Sequence, residues 1–266
     1  MCFWVFFLLN LESEKNRFNS NCHLNIGYGS SPAEILDIYG ADLPDDSPIF
    51  VYIHGGYWQM DVINKWSAAY AVRPMLENAK KVMVVEYDNC PKITLQEVVE
   101  QLKRAFAWIA EYAKENNVKS IAFAGHSAGA HLVATSLTKE FFELIGSEIK
   151  INAYLISGLF ELTELRTLKA ANENNILSLT ETNAKELSPQ YQDYSHLTSA
   201  NIQIQVLVGE NESKKSIEQS KNFGDHLKRY SPKTIYKLME KLDHFDIVEK
   251  LVEKDYELTK TILSNF

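Results

Sequence analysis

Three observations in the sequence predict an α/β fold, with a mostly parallel central sheet and helices on both faces. Short runs that are apolar throughout alternate with longer amphipathic segments. One run ends in a Gly-x-Ser-x-Gly turn at 125–129, and another ends in His54-Gly55-Gly56. Strands apolar on both sides are what a parallel sheet buried between two helical layers requires.

The runs lie at 49–53, 82–85, 121–124, 153–156 and 202–208, with a weaker strand-like stretch at 234–239. The first follows a turn-like Leu43-Pro44-Asp45-Asp46-Ser47-Pro48. Between them, residues 94–112 carry Leu95, Val98, Val99, Leu102, Ala105, Phe106 and Ile109 at spacings of three and four, one buried stripe of a helix. Thr94 with Glu97 three residues on fits a capping box. Segments 128–139, 214–229 and 245–262 also read as helices. Strands alternating with helices imply right-handed crossovers in one sheet. Residues 159–199 contain short helical pieces and no clear strand, and are expected to form a cap over the carboxyl ends of the strands. The 266 residues read as a single domain, 1–266, with 1–25 as an amino-terminal arm and 159–199 as a cap insertion.

The arm opens with an apolar run at 2–9, too short to span a bilayer as a helix. No positive charge precedes it and no small-residue cleavage site follows, so a buried strand or packing arm is expected rather than a secretory signal or membrane anchor. A cytoplasmic protein without stable membrane association follows from that.

Composition narrows the function. Apolar residues make up 45% and charged residues 23%, ordinary for a globular chain. With 27 basic against 35 acidic residues the net charge is −8, which disfavours broad contact with a phosphate backbone; a nucleic-acid partner is not expected. Cys2, Cys22 and Cys90 form neither a CxxC pair nor a zinc-ligand spacing, which points to a reducing compartment and no metal site. A monomer and a homodimer both remain open.

Gly125-His126-Ser127-Ala128-Gly129 follows an apolar run and precedes a good helix former, the strand–turn–helix setting of a nucleophile elbow. Such a turn holds its serine in a strained conformation and needs small neighbours, so Ser127 is the expected nucleophile of an α/β-hydrolase. A capped strand–helix turn is the blander alternative. His54-Gly55-Gly56 offers backbone amides for a tetrahedral oxyanion, and the residue after the nucleophile usually adds one. Gly55, Gly56 and Ala128 are therefore the expected oxyanion donors, with His54 bracing their loop.

The fold's order is serine, acid, histidine. Of seven histidines, His244 alone follows the last strand-like stretch and precedes a terminal helix, so it is the expected base. The acid should follow the run at 202–208, where Gly209-Glu210-Asn211-Glu212 offers Glu212 first and Glu210 second. Tyr57 and Trp58, beside the oxyanion loop, are candidates for an aromatic wall around the substrate, or for packing under the cap.

His54-Gly-Gly-Tyr-Trp-Gln59 together with Gly125-His-Ser-Ala-Gly-Ala-His131 resembles the kynurenine formamidases (arylformamidases), an α/β-hydrolase branch related to hormone-sensitive lipase. The likeness runs from Tyr28-Gly29 through Tyr87-Asp88 with Pro91, Ser157-Gly158 and Ser188-Pro189 to His244-Phe-Asp-Ile-Val248, covering roughly 26–262. The resemblance implies hydrolysis of N-formyl-L-kynurenine, a small-molecule substrate, to L-kynurenine and formate in tryptophan catabolism, with no metal or organic cofactor. It puts the nucleophile on Ser127 and the base on His244. The family's acid, usually aspartate three residues after the strand's final glycine, falls on Glu212. The apolar run at the amino terminus has no match in the family. A general carboxylesterase and a catalytically silent binding protein are the rival readings.

Overall fold

The computed structural model describes residues 3–266, with side chains from Leu8 onward; Met1 and Cys2 lie outside the described residues. Eight strands form one sheet: β1 (Cys22–Gly27), β2 (Ile35–Tyr39), β3 (Ile49–Ile53), β4 (Lys81–Val85), β5 (Ser120–His126), β6 (Lys150–Ile156), β7 (Ile202–Gly209) and β8 (Ile235–Met239). Their spatial order is β1-β2-β4-β3-β5-β6-β7-β8. β1–β2 and β2–β4 pair antiparallel and every other pair is parallel.

Along the chain the helices are α1 (Phe3–Asn19), α2 (Val72–Leu76), α3 (Leu95–Glu115), α4 (Ala128–Ser136), α5 (Lys139–Ile145), α6 (Lys169–Asn172), α7 (Glu181–Glu186), α8 (Lys214–Lys228), α9 (Asp246–Glu249) and α10 (Glu257–Ser264). Alternate strand residues face opposite layers, as a period of two dictates. Ile49, Val51 and Ile53 of β3 pack with α3, α4, α5 and α8, while Phe50 and Tyr52 pack toward α1, α2, α9 and α10. The central sheet therefore carries helices on both faces.

All six expected strand runs appear, as β3 to β8. α3 begins as expected, with Thr94 Oγ1 accepting from the Glu97 amide and Glu97 Oε2 accepting from the Thr94 amide. Two helical segments are interrupted. The 128–139 segment breaks after Ser136, because the Thr138 hydroxyl accepts from the Phe141 amide and starts α5. The 245–262 segment divides into α9, a 3-10 turn at Lys250–Val252 and α10.

The amino-terminal run, expected as a buried strand or a packing arm, forms the start of α1, so far as residues 3–9 are described. The 17-residue stretch contains no glycine or proline and continues past the apolar run through helix-favouring Leu11, Glu12, Glu14 and Lys15, so the short apolar run propagates as helix. Leu9 is buried while Leu8 is exposed. Further along, Ser13 Oγ donates to the Ser67 carbonyl and Asn16 Nδ2 to the Ala69 carbonyl, docking α1 on the loop before α2. Among the described residues no helix is long and apolar enough to cross a membrane.

Residues 159–199 form α6, α7 and short 3-10 turns. Phe160, Leu162, Leu177, Leu187 and Leu197 join the larger core, so this segment is packed onto the sheet layers.

Candidate active site

β5 runs into Ser127, whose backbone sits at φ 55° and ψ −117°, a region L-residues rarely occupy. The glycines permit this turn. A Cβ on Gly125 would come 2.3 Å from the Gly129 carbonyl oxygen, and one on Gly129 would come 2.2 Å from that of Ile53. The Ser127 amide donates to the Ile156 carbonyl at 2.9 Å, tying the elbow to β6. Ser127 stands at the N-cap position of α4 without a side-chain capping bond, beside an amino end that carries positive partial charge.

Ile53 pairs with Gly125 in the β3–β5 register, so the loop leaving β3 lies beside the elbow. His54 braces that loop. Its Nδ1 lies 2.9 Å from the Gly55 carbonyl and its Nε2 3.0 Å from Glu86 Oε1. Its ring stacks on Tyr87 at 4.3 Å, and the Tyr87 hydroxyl donates to the carbonyls of His54 and Gly55. Burial pushes the Glu86 carboxyl up, but His54 and the amides of Lys65 and Tyr87 outweigh it and hold it below the usual range. With those carbonyls fixed, the loop's amides face the other way. Among the described residues, the N–H groups of Gly55, Gly56 and Ala128 make no hydrogen bond.

His244 lies in the loop after β8, and its Nδ1 is 2.8 Å from Glu212 Oε2. Glu212 Oε1 accepts from the Ser157 hydroxyl at 2.5 Å and from the Gly209 amide at 2.9 Å. Burial pushes the Glu212 carboxyl up, yet the bonds from His244, Ser157 and Gly209 together hold it below the usual glutamate range. Glu210 turns away: it is exposed and accepts from the Lys241 amide. Of the two glutamates, Glu212 is the one beside His244.

Ser127, His244, Tyr57 and Phe245 line two cavities that meet at the serine. One, of about 950 Å³, is bounded by residues 157–168 and the start of α8, including Glu161 and Lys215. The other, of about 350 Å³, is mostly apolar and is walled by Leu9, Met60, Ile63, Tyr70 and Val248. Tyr57 is exposed and lines both. Trp58 is wholly buried and lines neither cavity, with its ring edge-on to His131 at 4.9 Å, which fits the packing alternative.

Two contacts escape sequence reasoning. Ser157 reaches Glu212 across 55 positions, and His126 Nε2 reaches the His244 carbonyl across 118. The strand order, β6 between β5 and β7, and the place of Ser157-Gly158 in the family resemblance are the signals that point to Ser157, though neither gives its partner.

The sheet order, the elbow after β5 and the histidine after β8 define an α/β-hydrolase. Solved structures agree on the fold. A candidate thioesterase from Silicibacter sp. TM1040 has a TM-score of 0.78 and 25% identity, covering 96% of this chain and 91% of that one. A hyperthermophilic esterase from the archaeon Pyrobaculum calidifontis has a TM-score of 0.70 at 18% identity, covering 98% and 90%. Residues 36–227 match the BD-FAE family. Kynurenine formamidase of Drosophila melanogaster is 34% identical over 90% of this chain and 79% of its own length, and that of Danio rerio 29% over 96% and 85%. The chain belongs to the kynurenine formamidase family.

Proposed function

We propose that the protein hydrolyses N-formyl-L-kynurenine to L-kynurenine and formate. The observation that carries this is the Glu212–His244 bond beside the elbow serine, in a chain 34% identical to the Drosophila melanogaster kynurenine formamidase. In this reading His244 takes the Ser127 proton as the hydroxyl attacks the formyl carbon. Glu212 holds the imidazole by Nδ1, keeps Nε2 aimed at the serine and stabilises the imidazolium. The amides of Gly55, Gly56 and Ala128 hold the oxyanion. His244 then protonates the departing arylamine, and water, activated by the same imidazole, releases formate from the serine. Tyr57 forms part of the wall against the kynurenine ring.

A second reading, hydrolysis of small acyl esters, is favoured by the apolar cavity of about 350 Å³, which is larger than a formyl group needs. Purified protein separates the two. Formate release from N-formyl-L-kynurenine should exceed turnover of 4-nitrophenyl butyrate in kcat/KM, and Ser127→Ala should lower it by about 1,000-fold or more. Preference for the butyrate would favour the ester reading. Formate release unchanged by Ser127→Ala would remove the mechanism altogether.

A further inference from the structure

We propose that Ser157 is a positioning residue for this site: its hydroxyl fixes the Glu212 carboxylate against the His244 ring. The proposal rests on Glu212 acting as the acid in the reading above. The two carboxylate oxygens have separate partners. Oε2 faces His244 Nδ1, while Oε1 takes the Ser157 hydroxyl and the Gly209 amide. Glutamate has one more rotatable bond than aspartate, so it loses more freedom when held in one pose. Two donors on the far oxygen supply that hold. The Gly209 amide, at the end of β7, is only three residues from Glu212; Ser157, directly after β6, comes from a separate segment and anchors the carboxylate to the neighbouring strand.

Position explains why this residue serves. β6 pairs with β5 on one side and β7 on the other, with Ile156 opposite His126 in the first pairing and opposite Leu207 in the second. The residue after Ile156 therefore stands between the elbow that carries Ser127 and the loop that carries Glu212. The Ser157 amide donates to the Leu207 carbonyl at 2.7 Å, which fixes its backbone. Its side chain is buried and lines the larger cavity.

The backbone gives an independent argument. Ser157 sits at φ 53°, the left-handed region where a Cβ is unfavourable and glycine is at ease. If the position served the turn alone, glycine would be the better residue. Serine holds a strained conformation whose return is the hydroxyl aimed at Glu212.

That contrast makes the test. Ser157→Gly removes the hydroxyl and relieves the strain. Its Tm should stay close to that of the wild type, because the lost hydroxyl bond and the relieved strain act in opposite directions, while kcat falls about 10- to 100-fold, the loss expected from a loosened catalytic group. KM should change by less than about three-fold, because no substrate contact is removed. Ser157→Ala, which keeps the Cβ and its strain, should show the same loss of kcat, so the readout does not depend on one variant folding. In a Glu212→Gln background neither change should lower kcat further, and the downfield Nδ1 proton resonance of His244 should broaden in both single variants. Wild-type kcat in Ser157→Gly overturns the proposal, as does the same fractional loss with and without Glu212. Rates are taken on N-formyl-L-kynurenine and on 4-nitrophenyl acetate. Turnover of the ester alone would sink the formamidase reading and still decide the role of Ser157.

Discussion

His126 Nε2 donates to the backbone carbonyl of His244 across 2.7 Å, so the residue before the elbow serine holds the loop that carries the neighbouring imidazole. The two rings lie 4.7 Å apart. Burial, reinforced by the adjacent His244, drives His126 well below the ordinary histidine range, so this ring stays neutral with its proton on Nε2. His126→Phe keeps the ring and loses the bond. Its kcat should fall about 10-fold with a stability loss of about 1 kcal/mol, measured by steady-state kinetics and thermal melting. An unchanged kcat would show that the loop needs no such tether.

Glu212 and Glu210 should differ sharply. Glu212→Gln leaves the shape intact but removes the charge behind His244, and kcat/KM should fall by roughly 1,000- to 10,000-fold. Glu210→Gln touches an exposed side chain bonded to the Lys241 amide, and activity should stay within about two-fold. The opposite pattern would place the acid on Glu210.

The lowered Glu212 carboxyl also gives a pH dependence to stability. Its folded value lies below its unfolded one, so the unfolded state binds the proton more readily. The contribution is fully present above the unfolded value of about 4.3. It is lost as pH falls through the folded value. Chemical denaturation between pH 6 and 3 should show a shallower acid decline for Glu212→Gln than for the wild type. Parallel curves would contradict the hydrogen-bonded carboxylate.

Tyr57 and Trp58 should separate by assay. Trp58→Ala empties a wholly buried site and should cost about 3–5 kcal/mol of stability. Tyr57→Ala alters an exposed residue that lines both cavities, so KM for N-formyl-L-kynurenine should rise several-fold while stability changes by less than about 1 kcal/mol. A raised KM at unchanged stability for Trp58→Ala would return it to the substrate wall.

What could be read beforehand follows from burial. β3 and β4 are buried at every position, so they stand out as continuous apolar runs. β1 is mostly exposed at the sheet edge, and β2 carries Asp37, whose charge is met by the buried Lys65 ammonium at 2.6 Å. A strand that buries a carboxylate does not look like one until its partner is known. The elbow was legible because its glycines are demanded by contacts within a few residues and by one neighbouring strand. Ser157 was not, because a lone serine at a strand end takes its meaning from a glutamate 55 positions away.

Leu9 of α1 is part of the wall of the smaller cavity. It lies six residues from Phe3, under two helical turns along α1. A segment joined ahead of that helix therefore lies within reach of the chamber beside Ser127. Two preparations differing only in their amino-terminal extension are therefore expected to differ in how they rank short and longer acyl groups.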